Sequence, residues 1–144
     1  MIQTMKDSGR SRILPLAVLC AANIVAALAS GAFGAIALVD PSTLIATHVT
    51  TDLATEFYVE MYAIRALVIA VGLIAASLTM GRAPLVVSMV LAAGGAVQLG
   101  DAIIASRWGT PGVIGASIAG TVHLTSALVL VPLARRYRAG TSTN

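Results

Sequence analysis

The sequence predicts an all-α integral membrane protein, a bundle of four helices that cross a bilayer alternately up and down. Of its 144 residues, 58% are hydrophobic and only 10% are charged, and the mean hydropathy is +0.92. Soluble domains carry roughly 25% charged residues, so a water-soluble fold could not bury this much apolar surface. A span needs about 20 residues, and the chain has room for four with short connections.

The first predicted span covers residues 13–39 and follows a polar tail at residues 1–12. Pro15 lies in its first turn, where proline is tolerated. Asn23 belongs to a stripe of small residues that lets another helix approach closely. We expect Asn23 to donate a hydrogen bond between helices or to form a pocket wall. The basic start also fits a cleavable signal peptide, but the apolar run continues to Val39 and favours a span.

The connection after this span carries two helix-start signals. Asp40-Pro41 has the pattern of an N-cap followed by proline at the first helical position, which predicts a short interfacial helix. Asp52 has the pattern of the cap of the next helix.

The second predicted span covers residues 57–80 and contains Tyr62 and Arg65 on one stripe. Glu60 lies about 140° round the helix from Arg65, so these two do not pair on one face. Glu60 is near the start of the span, where a carboxylate reaches headgroups or water. Arg65 is two turns deeper and needs a partner.

The third and fourth predicted spans cover residues 84–105 and 113–133. Gln98 and Asp101, three residues apart in the third span, share one helix face. Trp108 marks the interfacial end of this span. His123 lies on a small-residue stripe of the fourth span, which we expect to end at Pro132, followed by a tail at residues 134–144.

Basic residues determine the predicted orientation. Both tails and the connection between the second and third spans hold seven of the nine Lys and Arg residues: Lys6, Arg10, Arg12, Arg82, Arg135, Arg136 and Arg138. Both termini should therefore be cytoplasmic, in a multi-pass protein of the inner (cytoplasmic) cell membrane. Arg65 and Asp101 then lie in the outer half of the bundle, with His123 near mid-depth.

Polar side chains in the apolar stretches are the candidate site, since any of them facing lipid would be costly. We assign catalytic roles to Asp101, Arg65 and His123. The candidate ligand-binding residues are Tyr62, Gln98, Asn23, Glu60 and Trp108. Arg65 and Asp101 form the natural charge pair, because the N–H donors of a guanidinium match the two oxygens of a carboxylate.

These residues favour a polar pocket in the outer half that binds a small lipophilic molecule. A carboxylate beside arginine, tyrosine, amide and histidine side chains could also convert that molecule by acid–base chemistry, such as epoxide opening or isomerisation. The alternative is a non-catalytic scaffold or accessory subunit, with Arg65–Asp101 as a structural ion pair and His123 bonded to Ser30, Asn23 or a backbone carbonyl. Proton conduction is disfavoured because the cytoplasmic half is almost wholly apolar.

The sequence lacks the signatures of several other classes of function. Cys20 is the only cysteine, and with one intramembrane histidine it provides no ligand set for zinc, haem or an iron–sulfur cluster. We expect no metal and no cofactor. The basic residues lie in the tails rather than in a patch interleaved with aromatics, so no nucleic acid is expected. Small-residue helix faces could join copies into a homo-oligomer.

A set of short motifs extends over residues 57–130: Arg65 and Gly72, Gly100-Asp101, Trp108-Gly109 and His123. In this spacing the chain resembles small bacterial and fungal four-span membrane proteins of uncharacterised families. The resemblance implies the same topology and singles out the same polar residues. It implies no activity.

Overall fold

The computed structural model describes the backbone of residues 3–44, 52–110 and 112–141 and the side chains of residues 15–42, 52–110 and 112–135. Within these ranges the chain forms α1 (Gln3–Val39), a 3₁₀ turn (Pro41–Leu44), α2 (Leu53–Leu78), α3 (Pro84–Trp108) and α4 (Val113–Thr141). Each helix contains a stretch long and apolar enough to cross a membrane: Pro15–Val39, Leu53–Leu78, Pro84–Trp108 and Val113–Arg135. The prediction of an all-α four-helix bundle is confirmed.

Short-range hydrogen bonds fix the starts of the helical segments on the α1–α2 connection. Asp52 caps α2 by accepting from Thr55 N at 2.7 Å and from the Thr55 hydroxyl at 2.6 Å. These bonds, with the hydroxyl contributing most, hold the pKa of Asp52 below its usual range because they favour the charged carboxylate. The Asp40 carboxylate accepts from Ser42 N at 3.1 Å, at the start of the 3₁₀ turn. Both predicted caps are therefore present.

All four helices extend beyond their predicted bounds at one end, and α3 does so by running to Trp108 rather than to residue 105. α1 begins at Gln3, so residues 3–12 of the predicted tail belong to the helix. α2 begins at Leu53 rather than at residue 57, directly after its Asp52 cap. α4 runs to Thr141 through Pro132, which was predicted to end it. A proline lacks one donor and crowds the preceding turn, but a helix can continue past it. Residues 134–141 of the predicted tail are helical here.

Small residues allow neighbouring antiparallel helices to approach closely. On α1, a Cβ at Gly34 would lie 2.9 Å from the carbonyl oxygen of Ala63 on α2. On α3, a Cβ at Gly95 would lie 2.9 Å from the carbonyl oxygen of Gly120 on α4. The structure therefore consists of two tightly packed helical hairpins, α1–α2 and α3–α4. The hairpins contact each other mainly through α1 and α4.

The apolar core lies in the half of the bundle that contains the α2–α3 turn. Its members are Ala27, Leu73, Met80, Val87, Leu91, Ala127 and Leu130. Large apolar side chains also face outward, including Val68 and Leu128, which are 67% and 74% exposed. An outer surface of this kind suits contact with lipid.

Candidate functional site

A cavity of about 1040 Å³ lies between the two hairpins, at the end of the bundle opposite the α2–α3 turn. All four helices contribute to it, and α2 and α3 provide the longest walls. Its polar side chains are Ser30, Thr55, Tyr58, Tyr62, Arg65, Gln98, Asp101, Trp108 and Thr110. The remaining wall is apolar, from Ala29, Phe33, Val59, Ala66, Ile69, Ile104, Ala105, Gly112, Gly115 and Ala116.

The cavity exists because α2 and α3 pack against each other only sparsely. Near the α2–α3 turn they touch, and a Cβ at Gly94 would lie 2.7 Å from a methyl carbon of Leu73. Toward their other ends the cavity separates them, from Ile69 on α2 and Gln98 on α3 onward. A smaller apolar depression of about 230 Å³ continues along the same seam and shares Ile69.

An ion pair crosses this gap. Arg65 Nη2 on α2 lies 2.5 Å from Asp101 Oδ1 on α3, which confirms the predicted pairing. The Asp101 side chain is 17% exposed, whereas that of Arg65 is 50% exposed. A guanidinium carries five N–H donors and a carboxylate two oxygens, so this single contact leaves hydrogen-bonding capacity on both partners.

Tyr62 supports the guanidinium from the same helix. The Cζ atom of Arg65 lies 5.2 Å from the centroid of the Tyr62 ring, within the range of a cation–π interaction. The spacing of three residues places both side chains on one face of α2. Tyr62 therefore restricts where the Arg65 head can lie.

Gln98 connects the cavity wall to α1. Its Nε2 donates to Ser30 Oγ at 3.1 Å, and Ser30 Oγ donates to the carbonyl of Ala26 at 3.1 Å. Gln98 is 6% exposed, and its Oε1 is buried with no hydrogen-bond partner among the described residues. A buried acceptor in this state is uncommon in folded proteins.

His123 and Asn23 do not share this cavity, and their assignment to it is wrong. Both are fully buried in a closed contact between α1 and α4. His123 Nδ1 lies 2.6 Å from Asn23 Oδ1, and because that oxygen only accepts, Nδ1 carries the proton and donates. Asn23 Nδ2 donates to Leu19 O at 2.7 Å and to Ser126 Oγ at 2.8 Å. The predicted hydrogen bond between His123 and Asn23 is confirmed, although His123 Nε2 is buried with no partner among the described residues.

The other predicted site residues divide between the wall and the surface. Tyr62, Arg65, Gln98, Asp101 and Trp108 all line the cavity. Glu60 is exposed on α2 and is not part of the wall, so its assignment as a ligand-binding residue is wrong for this cavity. Its position suits the other expectation, a carboxylate that reaches headgroups or water. Trp108, the only tryptophan of the chain, is 63% exposed at the end of α3. Within the described ranges, no group of three or more His, Cys, Asp or Glu side chains could hold a metal ion.

Sequence reasoning missed most of the apolar wall. On α2 the wall repeats at Thr55, Tyr58, Tyr62, Arg65 and Ile69, which alternate at three- and four-residue spacing. Four of these residues, from Tyr58 to Ile69, were predicted to share the stripe of Tyr62 and Arg65, because the polar members mark the face on which the apolar members also lie. The contributions of α1 and α4, such as Phe33 beside Gly112, had no comparable signal.

Comparison with family models, curated proteins and solved structures finds no match to this chain. The resemblance to uncharacterised four-span families therefore stays a prediction.

Proposed function

We propose that this protein binds a small lipophilic molecule in the cavity between its two hairpins, in the outer half of the inner (cytoplasmic) cell membrane. The observation that carries the proposal is the cavity itself, a partly open and mostly apolar space of about 1040 Å³ with one ion pair in its wall. Ligand sites in proteins are mostly apolar cavities of about 300–1,000 Å³ with a few converging polar groups. A purely structural ion pair requires no such volume beside it.

Access from the bilayer fits the arrangement of the helices. The least packed seam of the bundle, between α2 and α3, is also the one that the cavity follows. A lipophilic molecule dissolved in the bilayer could enter along this seam without crossing water, where its apolar surface would be costly to hydrate.

Binding of a ligand is better supported than its chemical conversion. Of the three candidate catalytic residues, Arg65 and Asp101 line the cavity, whereas His123 lies outside it. Acid–base chemistry would have to depend on a carboxylate that already contacts a guanidinium. The proposal therefore assigns Arg65 and Asp101 to ligand recognition.

Filling the cavity tests the proposal. Gly115 lies in the wall, and a Cβ placed there meets nothing within 4 Å, so the Gly115→Phe side chain should project into the cavity and narrow it without displacing the helices. Binding can be followed by quenching of Trp108, the only tryptophan, with bromine-labelled long-chain probes in bilayer nanodiscs. We expect at least one probe to quench saturably and Gly115→Phe to weaken that binding by about tenfold or more.

The matched control is Gly81→Phe. Gly81 also has open space within 4 Å of a built Cβ, but it lies in the α2–α3 turn at the opposite end of the bundle. This variant should bind as the native protein does. If no probe saturates, or if Gly115→Phe binds normally, the binding proposal is wrong and the scaffold alternative is favoured.

A further inference from the structure

The charged groups in the cavity wall balance each other. Arg65 and Asp101 are the only charged side chains among the described residues of the wall, and they contact each other directly. A bound anion would lie beside the Asp101 carboxylate, and a bound cation would lie beside Arg65. In an apolar site of low dielectric, either ligand would leave one uncompensated charge, which is strongly unfavourable.

The wall nevertheless has unused hydrogen-bonding groups. Arg65 makes one hydrogen bond and retains further N–H donors, and Asp101 Oδ2 has no partner among the described residues. The free Asp101 oxygen is an acceptor, so the complementary ligand must donate a hydrogen bond and can also accept one from Arg65.

We propose that the ligand is an uncharged lipophile with a hydroxyl head group, such as a long-chain or polycyclic alcohol, whose hydroxyl contacts the Arg65–Asp101 pair. This inference rests on the proposed function and specifies the ligand class of the same cavity. A hydroxyl donates to the Asp101 carboxylate and accepts from the Arg65 guanidinium, and it adds no charge.

The apolar wall accommodates the rest of such a molecule. Phe33, Ile104 and Ala105 line the cavity around the pair, and Ile69 continues into the smaller depression between α2 and α3. The hydrocarbon part of the ligand would therefore contact apolar surface on both sides of its head group. Burial of that surface supplies the affinity, and the ion pair supplies the selectivity.

Four bromine-labelled probes of equal chain length test the head group. They end in a hydroxyl, a methyl ether, a carboxylate or an ammonium group, and each is titrated against Trp108 fluorescence in nanodiscs. We expect the alcohol to bind the native protein about tenfold more tightly than each of the other three probes, because only the hydroxyl satisfies both partners.

Substitutions that unbalance the pair should change this preference in opposite directions. Asp101→Asn leaves the Arg65 charge unpaired, so carboxylate binding should rise by about tenfold relative to the native protein. Arg65→Gln leaves the Asp101 charge unpaired, so ammonium binding should rise by a similar factor. Comparing one probe between variants cancels its partitioning into the bilayer, and either variant suffices if the other does not fold.

The outcomes separate the two proposals. If the four probes bind equally, or if the carboxylate or ammonium probe binds the native protein best, the hydroxyl inference is wrong. The cavity proposal still stands in that case, provided that Gly115→Phe removes binding. If Gly115→Phe has no effect on any probe, both proposals are wrong.

Discussion

Asn23, His123 and Ser126 form a buried polar connection between α1 and α4. Asn23 uses both ends of its amide there, accepting from His123 and donating to Ser126 and to the carbonyl of Leu19. Of the two ring nitrogens of His123, Nε2 has no hydrogen-bond partner among the described residues. Interhelical hydrogen bonds of this kind in membranes contribute about 0.6 kcal/mol on average and up to about 1.7 kcal/mol. At the residue scale, His123 therefore acts on stability rather than on the cavity.

Replacing His123 should separate stability from binding. His123→Ala removes the donor to Asn23 Oδ1 and leaves that buried oxygen unsatisfied, so we expect a loss of about 1–3 kcal/mol in unfolding free energy. Reversible unfolding in mixed micelles measures this loss. Probe affinity at Trp108, measured where the variant is folded, should change by less than about twofold, since the site lies elsewhere.

The control for this substitution is Thr121→Ala on the same helix. The Thr121 hydroxyl is exposed and bonds only to the carbonyl of Ser117, so its removal should be nearly neutral. A His123→Ala variant of native stability that no longer binds any probe would contradict this assignment and return His123 to the site.

At the scale of the helices, glycine contacts set how closely each hairpin packs. Gly95 on α3 and Gly120 on α4 face each other, and a Cβ on either would lie 2.9–3.0 Å from the carbonyl oxygen of the other. Gly95 also lies against Leu124, whose Cγ would be 2.9 Å from the added atom. Because backbone atoms cannot move aside singly, a larger residue must separate the two helices.

A pair of glycine substitutions on α3 tests this contact. Gly95→Ala should reduce the unfolding free energy by about 1–3 kcal/mol through overpacking. Gly100→Ala is the matched control, because a Cβ at Gly100 meets nothing within 4 Å. Alanine there should be neutral or stabilise the helix by about 0.5–1 kcal/mol. Equal unfolding free energies for both variants would show that the α3–α4 contact tolerates separation.

At the scale of the whole molecule, the antiparallel arrangement brings both termini and the α2–α3 turn to one end of the bundle. Arg82 in that turn therefore joins the basic residues of the two tails, whereas the α1–α2 connection at residues 40–52 contains no Lys or Arg. Basic residues favour the cytoplasmic side. The cavity lies at the opposite end, so the orientation of the protein determines the leaflet in which the cavity lies.

Reporter fusions test this orientation. A reporter after residue 144 should be active only in the cytoplasm, and one inserted between residues 40 and 52 only outside, because the charge bias is concentrated at the other end. Neutral substitutions at Arg82, Arg135 and Arg136 should weaken the bias and produce mixed orientations. A native protein with an exterior C-terminus would place the cavity in the cytoplasmic leaflet.

Local features of the sequence were enough to predict four helices, the approximate position of each candidate span and the Arg65–Asp101 pair. Span positions follow from local composition, since about 20 apolar residues must stay in lipid together. The Arg65–Asp101 pair could be predicted because a buried charge needs an opposite charge, and few ionisable residues lie within the spans. The Asp40 and Asp52 caps were equally local and equally predictable.

Which polar residues share a site depends on how the four helices pack against one another. Helical periodicity places Asn23 and His123 on definite faces, but it does not state which neighbouring helix each face meets. Their faces turned out to meet each other, in a closed contact between α1 and α4. The cavity has the same origin, because it arises where α2 and α3 separate, and the distance between two helices depends on packing across the whole bundle rather than on any local pattern.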